Sequence, residues 1–97
     1  MAELKGRRVE NVKALYEGKA GDYVVVYPAD PEGIRIPEGK ISLWFRDPTG
    51  EIGRVSQHEI TEHEDGTVTV SRSILATTAE HGHDWHGFLE RGVWRDA

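Results

Sequence analysis

Residues 58–75, HEITEHEDGTVTVSRSIL, constrain the fold more than any other stretch, because turn chemistry and hydrophobic alternation fix each other there. The loop falls at Glu64-Asp65-Gly66, since Asp tolerates turn geometry and glycine alone takes positive φ freely. A two-residue loop of Asp65 and Gly66 would set Val68 and Val70 opposite His63 and Thr61, and would turn Ile60 to the other side. A three-residue loop, with Gly66 left-handed, pairs Ile60 with Val70 and Glu62 with Val68 and gathers the apolar residues on one face. The spacing therefore predicts an antiparallel hairpin with the three-residue loop.

The same logic extends along the chain. Ile41, Leu43 and Phe45 alternate with Ser42, Trp44 and Arg46, and Asp47-Pro48-Thr49-Gly50 has the composition of a type I turn. A three-residue loop there sets Leu43 against Val55, Phe45 against Gly53, and Trp44 against Arg54, whose guanidinium can lie over the indole. Glycine at the end of Glu90-Arg91-Gly92 predicts a third hairpin, with Leu89 opposite Val93 and Phe88 opposite Trp94. Tyr23-Val24-Val25-Val26-Tyr27 reads as an unambiguous strand. Pro28, Pro31 and Pro37 with Gly33 break residues 28–40 into a long loop of the kind that often carries function. In residues 9–16, VENVKALY, helical and strand templates nearly tie; the turn-like residues that lead into the next strand favour a strand. Residues 1–8, MAELKGRR, are charged and read as a mobile N-terminal tail or the lead-in to a first element. Ser73-Ile74-Leu75 continues the organising hairpin, and residues 77–84 form a polar connection. The expected fold is all-β, a small antiparallel sandwich or partly open barrel built of consecutive hairpins in one domain.

Composition narrows the function. The chain has 97 residues, enough for one core. With 12 basic against 17 acidic residues its net charge is −5, the wrong sign for a phosphate-binding surface, which argues against nucleic acid as partner. It has no cysteine, so neither disulfides nor a cysteine zinc site can form. No run approaches the ~20 apolar residues of a membrane helix, and the N-terminus lacks a signal-peptide core. The expectation is a cytoplasmic protein with no membrane partner.

Five histidines lie in the second half, His81, His83 and His86 clustered beside Glu80 and Asp84. Imidazole and carboxylate together suit zinc or nickel, although a polar histidine-rich loop is commonly just solvated. The acidic cluster Glu59, Glu62, Glu64 and Asp65 reads as a solvated hairpin tip before it reads as a site for a cation or basic partner. Ser71, Ser73 and nearby histidines are the residue types of a hydrolase, but no nucleophile elbow, phosphate loop or paired metal-ligand helix is present. Trp44, Trp85 and Trp94 have the character of an aromatic binding platform, with at least two of them expected in the core. Ile34 and Ile36 stand in a loop otherwise made of charge, proline and glycine, where an apolar side chain must fold back or meet another molecule.

The second half resembles a small uncharacterised β domain of bacterial and phage genomes, through GTVTVSRSI at residues 66–74 and HGFLERGVW at residues 86–94, with GDYVVV at residues 21–26 in the place of its first clear strand. The resemblance implies a fold and a bacterial or phage setting, and no reaction. Many members look metal-binding, with a cysteine-rich knuckle in the first hairpin and a Cys-x-x-His pair before the last. His83 and His86 fall on that last pair, but the first hairpin offers only Asp47. A closed zinc site needs four ligands, so the expectation is no metal and no cofactor, with His81, His83, His86 and Asp47 the candidates if one binds. The leading functional expectation is a non-catalytic interaction or assembly module, with a protein partner or a second copy of the chain. Ile34, Ile36, Trp44, Arg54 and Trp85 are its candidate contact residues. A metal-binding domain and an acidic phage-type inhibitor of a host protein are the alternatives; an enzyme ranks last.

Overall fold

The computed structural model describes residues 3–55, 58–78 and 83–97, and of residues 76–78 and 83–84 the backbone alone. The chain is mostly strands in antiparallel sheets with one short helix, so the all-β expectation holds. Sheet A has the order β1 (Glu3–Lys5), β10 (Val93–Asp96), β9 (His83–Glu90), β8 (Ile74–Thr78). Sheet B has the order β2 (Arg7–Arg8), β3 (Asp22–Val26), β4 (Ser42–Arg46), β5 (Ile52–Val55). A third ribbon, β6 (Ile60–Glu62) and β7 (Val68–Val70), packs against β9.

The N-terminus is corrected from a mobile tail to structure, with Glu3–Lys5 and Arg7–Arg8 both strand, as the lead-in reading has it. Alternate amides of this stretch feed different sheets. Gly6 N–H donates to Gly92 O in sheet A, while Arg7 and Val9 N–H donate to Gly21 O and Tyr23 O in sheet B. One strand thus seams the two sheets into a continuous curved ribbon, whose ends β5 and β8 lie against each other without forming a ladder among the described residues. This is a partly open barrel. Gly6 sits at the seam because a Cβ there would meet Gly21 O at 2.7 Å and Gly92 O at 2.9 Å. Sequence pattern could not show this, since the stretch pairs through its backbone and only Leu4 packs on the core.

Two hairpins have the predicted register. Ile60 pairs with Val70 and Glu62 with Val68, with Gly66 at φ 88°. Leu43 faces Val55, Phe45 faces Gly53, and Trp44 faces Arg54. A Cβ on Gly53 would lie 2.9 Å from the Phe45 ring, so the bare glycine is where that ring rests.

The last hairpin is slipped by one residue from expectation: Leu89 pairs with Trp94 and Glu90 with Val93. Its loop is Arg91 and Gly92 alone, both left-handed, at φ 46° and 78°, which is the two-residue type I′ turn. The slip matters because it turns Leu89 and Trp94 to the same, inner side, and both are fully buried. Residues 9–16 are corrected as well. Val12–Tyr16 is a helix, α1, whose N-cap Asn11 accepts the Ala14 N–H through its side chain at 2.8 Å. Ile74 and Leu75 do not continue β7; Arg72, at φ 71°, turns the chain into a new strand that pairs with β9. Thr77, Thr78, His83 and Asp84 are strand residues too, so the polar connection is shorter than expected.

The main core fills the ribbon's concave side with Tyr23, Val25, Leu43, Phe45, Val68, Val70, Ile74, Trp85, Leu89 and Trp94. Trp94 is its centre, 5.3 Å from the Phe45 ring and 5.5 Å, edge-on, from Trp85, and its indole N–H reaches Gly21 O at 2.9 Å. Asp22, fully buried, receives Arg7 and the Lys19 N–H, which ties the seam strand to β3.

Candidate functional site

The convex face of sheet B is built by the residues that alternate with the core. Val24 and Val26 point away from the barrel and are covered by Leu15 of α1. A five-residue helix is too short to hold by itself. It is pinned from β4, where the Arg46 guanidinium donates to Leu15 O and Tyr16 O, each at 2.8 Å, and to Gly50 O at 2.9 Å. Val9, Val12, Ile36, Trp44 and Ile52 complete this second cluster and are only partly buried. The Arg54 guanidinium lies 5.4 Å from the Trp44 ring, an interaction worth about 0.5–1 kcal/mol at such a site.

The proline loop that precedes β4 is an ordered structure. Asp30 caps the end of β3 by accepting the Tyr27 N–H at 2.8 Å, and two successive turns follow, Gly33 N–H to Asp30 O and Ile36 N–H to Gly33 O. Gly33 is packed so closely that a Cβ would fall 2.0 Å from Tyr27 O. This geometry splits the two isoleucines. Ile36 folds back onto the Val24 and Val26 cluster, whereas Ile34 projects into solvent at 87% exposure. Ile36, Trp44 and Arg54 therefore share one face, and the loop that supplies Ile36 also holds out Ile34.

Trp85 does not belong with them. It is 6% exposed, its ring covers Gly87, and its N–H donates to Asp96 Oδ1 at 2.8 Å. The expectation of a contact role for Trp85 is corrected on that ground: the neighbouring glycine lets the indole lie flat into the core.

Of the candidate ligands, His81 lies outside the described residues, as does the side chain of His83; His86 is exposed. Asp47 is buried, and its Oδ1 is already held by the Thr49 N–H, the Thr49 hydroxyl and the Glu51 N–H within its own turn. That carboxylate organises the hairpin loop. No group of three or more metal-ligating side chains stands together among the described residues.

Sequence reasoning missed a polar cluster at the barrel mouth. The Arg8 guanidinium and the Tyr27 hydroxyl both donate to Glu62 Oε1 at 2.7 Å, and Arg8 also reaches Gly66 O. Burial pushes the Glu62 carboxyl up, but the hydrogen bonds from Tyr27 and Arg8 outweigh it and hold it below its ordinary value. Asp65 is likewise lowered, by the Thr67 hydroxyl and N–H. Two members of the acidic hairpin tip are thus structural partners, which only the fold could show, since Arg8 and Glu62 stand far apart in sequence. Thr69 Oγ1 accepts the Arg91 N–H at 2.9 Å and shares a hydrogen bond with His63 Nε2 at 2.6 Å, which staples β7 to the last turn.

No helix among the described residues is long and apolar enough to cross a membrane. No family model, curated protein or solved structure matches this chain.

Proposed function

We propose that this chain is a non-catalytic interaction or assembly module whose contact surface is the convex face of sheet B together with the proline loop. The observation that carries the reading is Ile34, held at 87% exposure by a loop with its own turns and cap. A large aliphatic side chain kept in water by a built loop gains free energy by meeting another apolar surface, about 1.5–3 kcal/mol if fully buried. Ile36, two residues along the same loop, shares the convex face with Trp44 and Arg54, which together offer half-covered apolar area and a cation, the composition that contact surfaces favour. The partner is another polypeptide, and a second copy is the form that needs nothing beyond this chain. The resemblance in residues 66–94 suggests the cytosol of a bacterial or phage-infected cell as the setting.

Sedimentation equilibrium over a wide concentration range tests the self-assembly form. Association weakened tenfold or more by Ile34→Asp, with the fold unchanged by circular dichroism, is expected. Association of equal strength in the variant would remove Ile34 from the surface.

A further inference from the structure

On the side of the molecule where β7 turns into β8, a cleft of about 590 Å³ is lined by Lys40, His58, Glu59, Ser71, Arg72 and Ser73. Its walls are tied together. Ser71 N–H donates to Glu59 O at 2.8 Å, and His58 Nε2 donates to Ser73 O at 2.9 Å, so residues 58–59 and 71–73 form one rim. Lys40 enters from the end of the proline loop, where its own N–H closes a turn onto Pro37 O. Among the described residues, neither the Lys40 ammonium nor the Arg72 guanidinium has an ion-pair or hydrogen-bond partner, although acidic residues outnumber basic ones in this chain.

Arg72 adds a second argument. Its φ of 71° is a conformation in which glycine would be cheaper than any side chain, by about 1–2 kcal/mol. A non-glycine residue in that conformation at the rim of a cleft, with its guanidinium unpaired among the described residues, directs attention to its side chain. The chemistry on offer is two full cations and two hydroxyls, against the single carboxylate of Glu59, which is exposed to water. Ammonium, guanidinium and hydroxyl donors arriving from several directions suit an acceptor with oxygens on all sides.

We propose that this cleft binds a small tetrahedral oxyanion, the phosphate group of a monoester or free phosphate, with Lys40 and Arg72 as charge partners and Ser71 and Ser73 as hydroxyl donors. The net charge of −5 fits this choice, because it opposes a polyanion through the field of the whole molecule while leaving a local cationic pair able to hold one small anion.

The test is a titration of ¹⁵N-labelled full-length protein with inorganic phosphate, a simple alkyl phosphate monoester and, separately, acetate. Saturable shifts confined to residues around 40, 58 and 71–73 are expected, with a phosphate dissociation constant on the order of 1 mM. Tighter binding of the ester than of phosphate would assign the cleft to a phosphorylated small molecule, and the reverse order to free phosphate. Arg72→Gly is the decisive variant, since glycine suits φ 71° and the fold should be kept or stabilised, yet phosphate affinity should fall about three- to tenfold. Lys40→Ala should weaken binding by a similar factor, and Glu59→Gln should strengthen it. Acetate binding as well as phosphate, or Arg72→Gly binding phosphate like the parent, would overturn the assignment.

Discussion

Gly6→Ala is the substitution that probes the architecture most sharply. Gly6 does not need glycine for its backbone angles, so alanine adds one methyl group and no φ strain. That methyl would lie 2.7 Å from Gly21 O and 2.9 Å from both Gly92 O and Trp94 Nε1. These three atoms carry the seam: Gly6 N–H bonds Gly92 O at 2.7 Å, and Trp94 Nε1 bonds Gly21 O at 2.9 Å. Two of the neighbours are backbone and the third is a buried indole, so none can swing aside. Overpacking of this kind costs about 1–3 kcal/mol, and loss of one of the two hydrogen bonds adds about 0.5–1.5 kcal/mol, for a total of about 1.5–4.5 kcal/mol. In a domain of this size that lowers the melting temperature by roughly 10–30 °C. Urea unfolding followed by circular dichroism measures it. Gly39→Ala is the control, at φ 78° with nothing within 4 Å, where only the left-handed backbone resists. A Gly6→Ala variant as stable as the parent would refute the seam.

Three further outcomes are expected. Val70→Ala, at a site of β7 that is 3% exposed and packed in the main core, should cost on the order of 1–3 kcal/mol in chemical denaturation; an effect below half the lower bound would mean that this face is wet. The pH profile should show an acid limb. Burial raises the Asp22 carboxyl, but Arg7 and the Lys19 N–H outweigh it and leave the folded value below the ordinary 3.8, so this contribution is present above pH 4 and is lost as pH falls through the lowered value. Glu62 acts in the same direction, and Asp22→Asn should flatten the limb; an unchanged slope would remove Asp22 from the account. Protein purified without an affinity tag should carry no stoichiometric zinc, and neither chelator nor added zinc should move its melting temperature. One bound equivalent, lost in a His83→Ala, His86→Ala variant together with stability, would restore the metal reading.

How much of this was legible depended on where each instruction was written. The hairpins around Gly50 and Gly66 were readable because a glycine in the left-handed position marks the loop and the flanking alternation fixes the register. The last hairpin was readable from Gly92 but its register was not, because Arg91 is left-handed too and makes with it a two-residue type I′ turn, where arginine gives no sign of one. The seam strand was hidden because its partners are backbone groups of two different sheets. Asn11 was the missed signal for α1, a side-chain cap ahead of a segment too short for periodicity to decide. In the candidate surface, Trp44 and Arg54 were legible as cross-strand neighbours once the hairpin register was known. The opposite fates of Ile34 and Ile36 were not, since they turn on the cap at Asp30 and the tight packing of Gly33.

The contact surface itself is tested most directly by a photo-crosslinking residue placed at position 34, with position 64 at the exposed hairpin tip as the control, and products mapped by mass spectrometry. The account predicts a discrete adduct from position 34, to a second copy or to one other polypeptide, with attachment sites clustered on a single surface and little or no product from position 64. Equal, scattered labelling from both positions, or none from position 34 at concentrations where the protein functions in its host, would contradict the claim that this face meets another chain.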